Sequence, residues 1–274
     1  MSGTFRVETA LITGASSGLG AEFVRQLAPK VRRLHLVARR EDRLLLLRAE
    51  SMAACPNLES VEIHAVDLGD EEARARLLDA VGGTVDLLIN NAGMGDYGAF
   101  DDSDWPKVRA MMELNMTALV HLSHGVLAGM KARKKGGIVN ISSLASMLFI
   151  PDFAVYAATK AFVTQFSEAL RLEARGDGVA VVAVCPGPVP TEFGQQARRA
   201  GEKRTEIPSY GFFYATPQQV VAEALEALER GRALVFPSLK VRLAAWLLRS
   251  MPRLALRAIL AGRPRKSTKV SAAS

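Results

Sequence analysis

Short apolar runs alternate with longer amphipathic stretches along most of this 274-residue chain. The runs are rich in Val, Ile and Leu, as are strands of a parallel sheet that is covered on both faces. They predict seven strands, at Thr9 to Ile12, Leu34 to Val37, Ser60 to Ala65, Leu87 to Asn90, Gly137 to Ile141, Val179 to Val184 and Ala233 to Phe236. With helices in the intervening stretches, the pattern predicts an α/β fold with a doubly wound parallel sheet and helices on both faces.

Two later segments depart from this alternation. Residues 191–214 are polar, basic and rich in turn residues, so we expect them to form an inserted loop that contributes to substrate specificity. Residues 241–274 form a basic, amphipathic extension of the single domain predicted for residues 1–240. No uncharged apolar run of about 18 residues occurs, so no membrane-spanning helix is expected.

The positive charge of the chain is concentrated near its C-terminus. Of the 35 basic residues, 11 lie between Arg230 and Ser274, where there is no Asp or Glu. The preceding part has the other 24 basic residues against all 28 acidic residues, which argues against a body that binds nucleic acid.

Cys55 and Cys185 suggest neither a metal cluster nor a disulfide framework, and no secretory pattern follows Met1, so a cytoplasmic setting is expected.

A glycine-rich turn follows the first predicted strand and opens a helix. Gly14 permits a tight turn, whereas Gly18 and Gly20 let the backbone approach a pyrophosphate and pack the helix against the sheet. Such a turn alone is weak evidence, but its position between a strand and a helix supports a Rossmann-type dinucleotide site. The predicted contacts here are Thr13, Gly14, Ser16, Ser17, Gly18, Leu19 and Gly20.

The end of the second predicted strand bears on the choice of dinucleotide. An acidic residue about 20 positions after the glycines would hold the 2′-hydroxyl of NAD, but the sequence there is Ala38-Arg39-Arg40. Ala38 carries no carboxylate to repel a 2′-phosphate, and Arg39 offers a planar fork that can bind one. NADP(H) is therefore favoured as the cofactor, and the alternative is that the Arg pair simply lies in solvent.

These features resemble the short-chain dehydrogenase/reductase family, and the resemblance covers about residues 5–240. Asp67-Leu68 resembles the family's pair beside the adenine, and Asn90 to Gly93 resembles its motif after the fourth strand. The loop after the sixth strand resembles the family's nicotinamide-side loop. The resemblance therefore implies further cofactor contacts at Asp67, Leu68, Asn91, Ala92, Gly93, Pro186, Gly187, Val189 and Thr191.

The same resemblance implies a catalytic set of Asn115, Ser143, Tyr156 and Lys160. Ser143 lies 13 residues before Tyr156, the usual spacing in the family, and Lys160 lies four residues after it. Tyr156 would protonate a carbonyl oxygen, and Ser143 would stabilise the charge that develops there. Ser142, the preceding residue, is the less favoured candidate for stabilising this charge.

Tyr156 and Lys160 are neighbours on one face of a predicted helix. A free phenol has a pKa of about 10, and a nearby ammonium would favour its ionised form. By resemblance, Lys160 would also reach the nicotinamide ribose, so both residues are expected to contact the cofactor. Asn115 would either organise a water that connects Lys160 to solvent or satisfy the backbone of a kinked helix, and both interpretations stay open.

The implied activity is that of an NADPH-dependent oxidoreductase that reduces a ketone or aldehyde, or oxidises the corresponding secondary alcohol, by hydride transfer. Two alternatives share the fold: a dinucleotide sensor without turnover and a membrane-associated protein of a lipid pathway. The complete set of Asn, Ser, Tyr and Lys favours the enzyme, since a sensor would not need an acid, an oxyanion donor and a lysine together.

Aromatic and aliphatic residues near the predicted loop suggest an apolar pocket. Such a pocket would take a 3-oxoacyl, steroid-like or other lipophilic carbonyl, but packing of the loop against the core would leave the same pattern. The residues concerned are Phe193, Ile207, Phe212, Phe213 and Tyr214, with Met147, Leu148 and Phe149 across the cleft.

The resemblance also implies a homodimer or homotetramer, paired through helices at about Trp105 to Ala132 and Ala154 to Arg175. Phe162, Val163 and Phe166 offer an apolar packing surface on the second helix. A face buried against the sheet would show the same residues.

The segment from Leu239 to Leu260 has the pattern of an amphipathic helix. Arg242, Arg249, Arg253 and Arg257 form a basic stripe, opposite Leu243, Leu247, Met251, Leu254 and Ala258. Pro252 should divide the segment into two helices, the second beginning near Ser250 as a cap. Three roles stay open: a lid over the cleft, packing on a second subunit, and peripheral membrane contact through residues 240–262.

Overall fold

The computed structural model of the chain describes residues 7–81, 83–199 and 214–261. Seven strands form one sheet in the order β3-β2-β1-β4-β5-β6-β7, and every neighbouring pair is parallel. Their bounds are β1 Thr9–Thr13, β2 Arg33–Ala38, β3 Ser60–Ala65, β4 Leu87–Asn90, β5 Gly136–Ile141, β6 Val179–Val184 and β7 Leu234–Val235. The predicted doubly wound sheet is confirmed, and each predicted strand overlaps an observed one.

Helices cover both faces of the sheet. They are α1 Gly18–Leu27, α2 Glu41–Ala54, α3 Glu71–Val81, α4 Trp105–Met112, α5 Leu119–Ala132, α6 Ala154–Ala174, α7 Phe193–Gln196, α8 Pro217–Glu229, α9 Leu239–Ser250 and α10 Arg253–Ala261. Short 3₁₀ turns occur at Ala28–Lys30, Phe100–Asp102, Leu144–Met147 and Arg175–Asp177. The α1, α2 and α8 helices pack on one face, and α3, α5 and α6 pack on the other.

Two apolar cores, one on each face, explain why the strands are apolar throughout. On one face, Phe23 of α1 and Val221 of α8 pack in one cluster with Ile12 of β1. On the other face, Leu122 of α5 packs in a second cluster that includes Leu88 of β4. Because side chains alternate between the faces of a strand, burial on both sides selects apolar residues at nearly every position.

The strand order reverses between β1 and β4, which are adjacent in the sheet. Chain segments leaving the carboxyl ends of these two strands turn to opposite faces, and a crevice opens between them. Ligands of doubly wound sheets bind at such a crevice. The predicted glycine turn after β1 and the predicted motif after β4 therefore share one edge of the sheet.

The helical region from Trp105 to Ala132 is interrupted, although the sequence predicts one helix there. Residues Glu113–Ala118 form a π-helical turn between α4 and α5. Such turns carry a wider hydrogen-bond spacing than an α-helix and frequently occur at functional sites. Asn115 lies within this turn and is buried.

Two C-terminal helices, α9 and α10, replace a single straight helix, as Pro252 predicts. The second helix begins at Arg253 rather than near Ser250, which is the last residue of α9. Val241 and Ala245 of α9 are buried beside the 3₁₀ turn Leu144–Met147. No described helix is both long and apolar enough to cross a membrane.

The predicted apolar face of this segment points outward. Leu243, Leu247 and Leu254 are largely exposed, together with Trp246. The buried face is formed instead by Val241 and Ala245 in α9 and by Leu256 and Leu260 in α10.

Candidate active site

The glycine turn after β1 has a backbone that few other residues could adopt. Gly14 and Gly18 have φ values of 64° and 54°, in the left-handed region that glycine occupies without steric penalty. A Cβ at Gly14 would lie 2.8 Å from Asn91 Nδ2, and one at Gly20 would collide with the carbonyl oxygen of Gly14. Gly14 and Gly20 therefore allow α1 to start directly against the loop after β4, whereas Gly18 lies against Thr191 in the loop after β6.

The N-terminus of α1 has the features of a phosphate-binding end. Ser17 is the N-cap residue, and its side chain makes no capping hydrogen bond. The first amide groups of the helix thus have no side-chain acceptor at the cap and face the crevice with the positive end of the helix dipole. Leu19 packs on the core and anchors the turn from behind. These residues fit a dinucleotide pyrophosphate.

Thr13 and Asn91 join the two loops that line the crevice. The Thr13 hydroxyl donates to the carbonyl oxygen of Ile89 at 3.1 Å and accepts from the amides of Asn91 and Ala92, both at 3.0 Å. The Asn91 side-chain amide donates to the carbonyl oxygen of Thr13 at 2.9 Å. Thr13 is fully buried, and its hydroxyl makes three hydrogen bonds to the strand and loop at β4. Thr13 therefore fixes the loop after β4 relative to β1.

The predicted catalytic residues lie together at the carboxyl end of β5 and along α6. Ser143 begins the 3₁₀ turn after β5, and its Oγ accepts from the amide of Ala145 at 3.1 Å. The Ser143 hydroxyl lies close enough to the phenol of Tyr156 to lower its pKa. Lys160 lies one turn further along α6, with Nζ 5.7 Å from the centre of the Tyr156 ring.

Burial dominates the electrostatics of this pair. It raises the pKa of Tyr156 to about 12, and the nearby Ser143 hydroxyl opposes that rise. Burial likewise lowers the pKa of Lys160 to about 8. Lys160 Nζ donates to the carbonyl oxygen of Ile141 at 2.8 Å rather than to the phenol. The pKa of Tyr156 is raised overall because desolvation outweighs the interactions that favour the phenolate.

Asn115 reaches the same region from the π-helical turn. Its side chain pairs with both backbone groups of Met94: Nδ2 donates to the carbonyl oxygen at 2.9 Å, and Oδ1 accepts from the amide at 3.0 Å. Nδ2 also donates to Thr159 Oγ1 on α6 at 3.0 Å. The side chain of Asn115 thus satisfies backbone groups of the loop after β4 and not those of its own helix. Asn115 and Lys160 also lie close to Gly93. A Cβ at Gly93 would be 3.2 Å from Asn115 Oδ1 and 3.5 Å from Lys160 Nζ.

The two adjacent serines after β5 have different surroundings. Ser142 Oγ donates to the carbonyl oxygen of Lys160 at 2.8 Å and lies 2.7 Å from Thr164 Oγ1. Ser142 is thus buried in the contact between β5 and α6, whereas Ser143 faces Tyr156. This difference in burial favours Ser143 over Ser142 as the serine that can reach a substrate oxygen.

Basic residues line the crevice at the end of β2. Arg39 is exposed and makes no hydrogen bond or ion pair within the described part of the chain. Arg40, by contrast, donates to Ser16 Oγ from Nη2 at 3.1 Å and to the Glu192 carboxylate from Nη1 at 2.8 Å. Arg43 donates to the same carboxylate. The hydrogen bonds from Arg43 and Arg40 hold the pKa of Glu192 below its usual value.

Sequence reasoning did not identify Arg40, Arg43 or Glu192 as site residues. Arg40 and Arg43 are three residues apart at the start of α2, so their spacing could have placed them on one face beside Arg39. No pattern in the sequence links them to Glu192, which lies beyond β6.

The remaining predicted cofactor residues flank the crevice. Asp67 is exposed just after β3, and its Oδ1 accepts from the amide of Gly69 at 2.9 Å, while Leu68 is buried. In the loop after β6, the carbonyl oxygen of Pro186 accepts from the amide of Leu144 at 2.8 Å. Gly187 and Val189 are half-buried. Thr191 reaches the glycine turn, since a Cβ at Gly18 would lie 3.1 Å from Thr191 Cγ2.

An aromatic cluster surrounds Tyr156. The ring of Phe153 stacks on Tyr156 with centres 4.3 Å apart, Phe193 lies 5.4 Å from Tyr156, and Tyr97 lies 5.6 Å from Phe153. Phe153 and Tyr97 were not predicted, although Phe153 lies one helical turn before Tyr156. Phe193 was predicted for the apolar pocket and does pack here.

The other predicted pocket residues do not join this cluster. Met147 packs towards Val241 of α9. Phe149 and Tyr214 are exposed, and Leu148 is half-buried. Ile207, Phe212 and Phe213 lie outside the described residues.

Comparison with known proteins identifies the family. A family model described as short chain dehydrogenase matches residues 8–202. An uncharacterised oxidoreductase of Myxococcus xanthus is 39% identical over 185 residues, which cover 68% of this chain and 73% of that protein. Retinol dehydrogenase 8 of Homo sapiens is 35% identical over 187 residues, which cover 68% of this chain and 60% of that protein.

A solved structure extends the similarity to nearly the whole chain. It is a short-chain dehydrogenase from Sphingobium yanoikuyae in complex with NADPH, with a TM-score of 0.77 and 29% identity. The superposition covers 95% of this chain and 98% of the solved one. The fold, the glycine turn and these matches together place this chain in the short-chain dehydrogenase family of oxidoreductases.

Proposed function

We propose that this protein is an NADPH-dependent reductase of ketones or aldehydes, which also oxidises the corresponding secondary alcohols. The observation that carries the proposal is that the Ser143 hydroxyl faces the phenol of Tyr156, with Lys160 Nζ 5.7 Å from the centre of that ring. A dinucleotide sensor would not need these three groups in one place.

When bound, the dinucleotide supplies or accepts the hydride. In reduction, the chain's own task is to hold the carbonyl and deliver a proton to its oxygen. The phenol of Tyr156 donates that proton, because burial keeps it protonated near neutral pH. The Ser143 hydroxyl donates a hydrogen bond to the same oxygen and stabilises its developing charge.

Lys160 supports the phenolate that Tyr156 becomes. With a pKa of about 8, the amine is largely protonated at pH 7, so a positive charge lies near the ring. This charge interacts more strongly with a phenolate than with a phenol, and it thus favours proton donation by Tyr156. Asn115 acts as a positioning residue that holds Met94, and through it Gly93, against α6.

The preference for NADP(H) is proposed on the charges at the end of β2. Ala38 carries no acid there, and Arg39, Arg40 and Arg43 offer three guanidinium groups within one helical turn. The NADPH complex of the Sphingobium yanoikuyae relative supports the same choice.

The substrate proposed is lipophilic. Phe153 and Phe193 place apolar surface around the phenol of Tyr156, where the carbonyl carbon must approach. The name of the human relative, retinol dehydrogenase 8, points to an apolar alcohol. Candidates are 3-oxoacyl thioesters, steroids and other bulky ketones.

Two surfaces support intermolecular contacts. Phe162 is exposed on α6 and stacks on Phe166 with centres 6.0 Å apart, which suits a homodimer or homotetramer contact. Val163 does not belong to this surface, because it is fully buried.

The outward apolar face of α9, flanked by basic residues, suits peripheral contact with an anionic membrane. A cytoplasmic location remains a prediction.

The deciding experiment is a substrate panel of ketones, 3-oxoacyl thioesters and steroids, followed by NADPH absorbance. We expect turnover with at least one lipophilic ketone and slower turnover with NADH. Tight NADPH binding without turnover of any panel member, in either direction, would favour the sensor.

A further inference from the structure

A cluster of metal-ligating side chains lies far from the proposed catalytic residues, on the edge of the sheet. His35 of β2 pairs in register with Glu62 of β3, and Val37 pairs with His64. Side chains of directly paired residues point to the same face, and so do residues two apart on one strand. His35, Glu62 and His64 therefore share one face of the sheet.

The ligand atoms of this cluster have the spacing of a metal's coordination shell. His35 Nδ1 lies 3.2 Å from His64 Nε2 and 3.5 Å from Glu62 Oε2. A tetrahedral Zn²⁺ ion with bonds of about 2.0–2.2 Å separates neighbouring ligand atoms by about 3.3–3.6 Å. All three atoms lie within 4.8 Å of one another. A small rotation of the Glu62 side chain, which is 58% exposed, would complete the triangle.

The groups are also accessible to a metal ion. The neutral form of each imidazole has one nitrogen lone pair to donate. His35 is buried, His64 is half-buried and Glu62 is exposed, so solvent reaches the cluster from one side. The nearest cation on β2, Arg33, is held by a hydrogen bond from its Nε to Thr9 Oγ1 at 3.1 Å.

We propose that His35, Glu62 and His64 form a binding site for Zn²⁺ or a similar transition-metal dication, with water completing the coordination. Two imidazoles and one carboxylate suit such ions better than Mg²⁺ or Ca²⁺, which prefer oxygen ligands. The ion would cross-link the edge strand β3 to β2. His35 lies four residues before Arg39, and His64 lies three residues before Asp67. The site would thus stiffen the strands that carry the proposed adenine end of the crevice.

The test is direct titration of the metal-free, EDTA-treated full chain with Zn²⁺, by calorimetry or by competition with a chromophoric chelator. We expect one equivalent to bind with at least micromolar affinity and to raise the unfolding temperature. His64→Gln and Glu62→Gln should each weaken binding at least tenfold, whereas His124→Gln, at an exposed position on α5, should leave it unchanged.

Two controls exclude a folding defect and a thiol ligand as the cause of any change in Zn²⁺ binding. Thermal unfolding of each variant without metal shows whether the variant still folds, and His35→Gln is avoided because His35 is buried. Cys55→Ser removes the half-buried thiol, a competing Zn²⁺ ligand. Unchanged binding in both folded cluster variants, loss of binding in Cys55→Ser alone, or no binding by the wild-type chain would each overturn the proposal. His35 and His64 would then be a plain hydrogen-bonded pair.

Discussion

Arg40 donates to the carboxylate of Glu192 at 2.8 Å and joins the start of α2 to the loop after β6. Arg43 contacts the same carboxylate, and Arg40 also contacts Ser16 in the glycine turn. A bound 2′-phosphate would compete with Glu192 for these guanidinium groups if it lies where we propose. Glu192 thus couples the cofactor end of the crevice to the loop that leads to Phe193.

Glu192→Gln should tighten NADPH binding more than NADH binding. The substitution removes a negative charge that competes with the 2′-phosphate and keeps a side chain of similar size. We expect the NADPH dissociation constant to fall about twofold to tenfold at low salt, and less at high salt because the charges are exposed. Fluorescence titration with both cofactors measures the difference. Equal changes for NADPH and NADH would argue that Glu192 does not compete with the phosphate.

Arg39→Ala and Arg40→Ala should each weaken NADPH binding far more than NADH binding. A hydrogen bond to a charged group contributes about 1.5–3 kcal/mol, so each loss corresponds to roughly 10-fold to 100-fold in affinity. Arg76→Ala, an exposed position on α3, is the matched control and should change neither constant. If only Arg40→Ala discriminates between the cofactors, the phosphate contact belongs to Arg40 and not to the predicted Arg39.

Tyr156→Phe should abolish most carbonyl reduction without loss of NADPH affinity. The variant keeps the ring, which stacks on Phe153, and removes only the proton donor. A general acid contributes about 10²-fold to 10⁴-fold, and that is the expected fall in kcat/KM. Ser143→Ala tests the oxyanion contact separately, with an expected loss of about 10²-fold to 10³-fold. A Tyr156→Phe variant with most of its turnover intact would remove the phenol from the mechanism.

The pH dependence of reduction should follow Lys160 and not Tyr156. The pKa of Lys160 is lowered to about 8 and that of Tyr156 is raised to about 12, so the lysine loses its proton first as the pH rises. Because kcat/KM reports groups of the free enzyme, it should decline above about pH 8. Lys160→Arg keeps a charge over this range and should shift any residual decline to higher pH. A decline at the same pH in both proteins would assign it to another group.

The same pKa shift has a consequence for stability. Between about pH 8 and the ordinary lysine pKa, the unfolded chain binds a proton at Lys160 that the folded chain has lost. The contribution of Lys160 to the free energy of unfolding therefore rises with pH across this window. Denaturant titrations of wild type and Lys160→Met at the two ends of the window measure this contribution. The free energy of unfolding of wild type should rise with pH relative to that of Lys160→Met.

The outward face of α9 predicts binding to anionic vesicles. Trp246 and Leu243 are exposed, and the basic residues around them add an attraction that salt screens. The intact chain should cosediment with such vesicles at low salt and less at high salt, and a chain ending at Leu239 should not. Because that truncation also removes the buried Val241 and Ala245, Trp246→Ala with Leu243→Ala is the milder variant. Negligible binding by all forms would favour a lid or a subunit contact.

The sequence by itself determined the sheet, the glycine turn and the identity of the candidate catalytic residues. Seven apolar runs were enough for the strands, because residues buried on both faces leave a continuous local pattern. The spacing of Ser143, Tyr156 and Lys160, by which the chain resembles the family, is likewise local, since Ser143 follows β5 and the other two lie on α6. Such features depend on neighbours along the chain, so a single sequence displays them.

Only the tertiary structure decided which groups meet across the fold and how deeply each is buried. Arg40 and Glu192 are 152 residues apart, and no local pattern relates them. Lys160 could be placed near Tyr156 from the sequence, but its contact with Ile141 and the opposite pKa shifts of the pair follow from packing. The amphipathic pattern of α9 showed two faces without showing which one is buried. Contacts between distant residues and the desolvation of a charge depend on the path of the whole chain, and that path is a property of the folded protein.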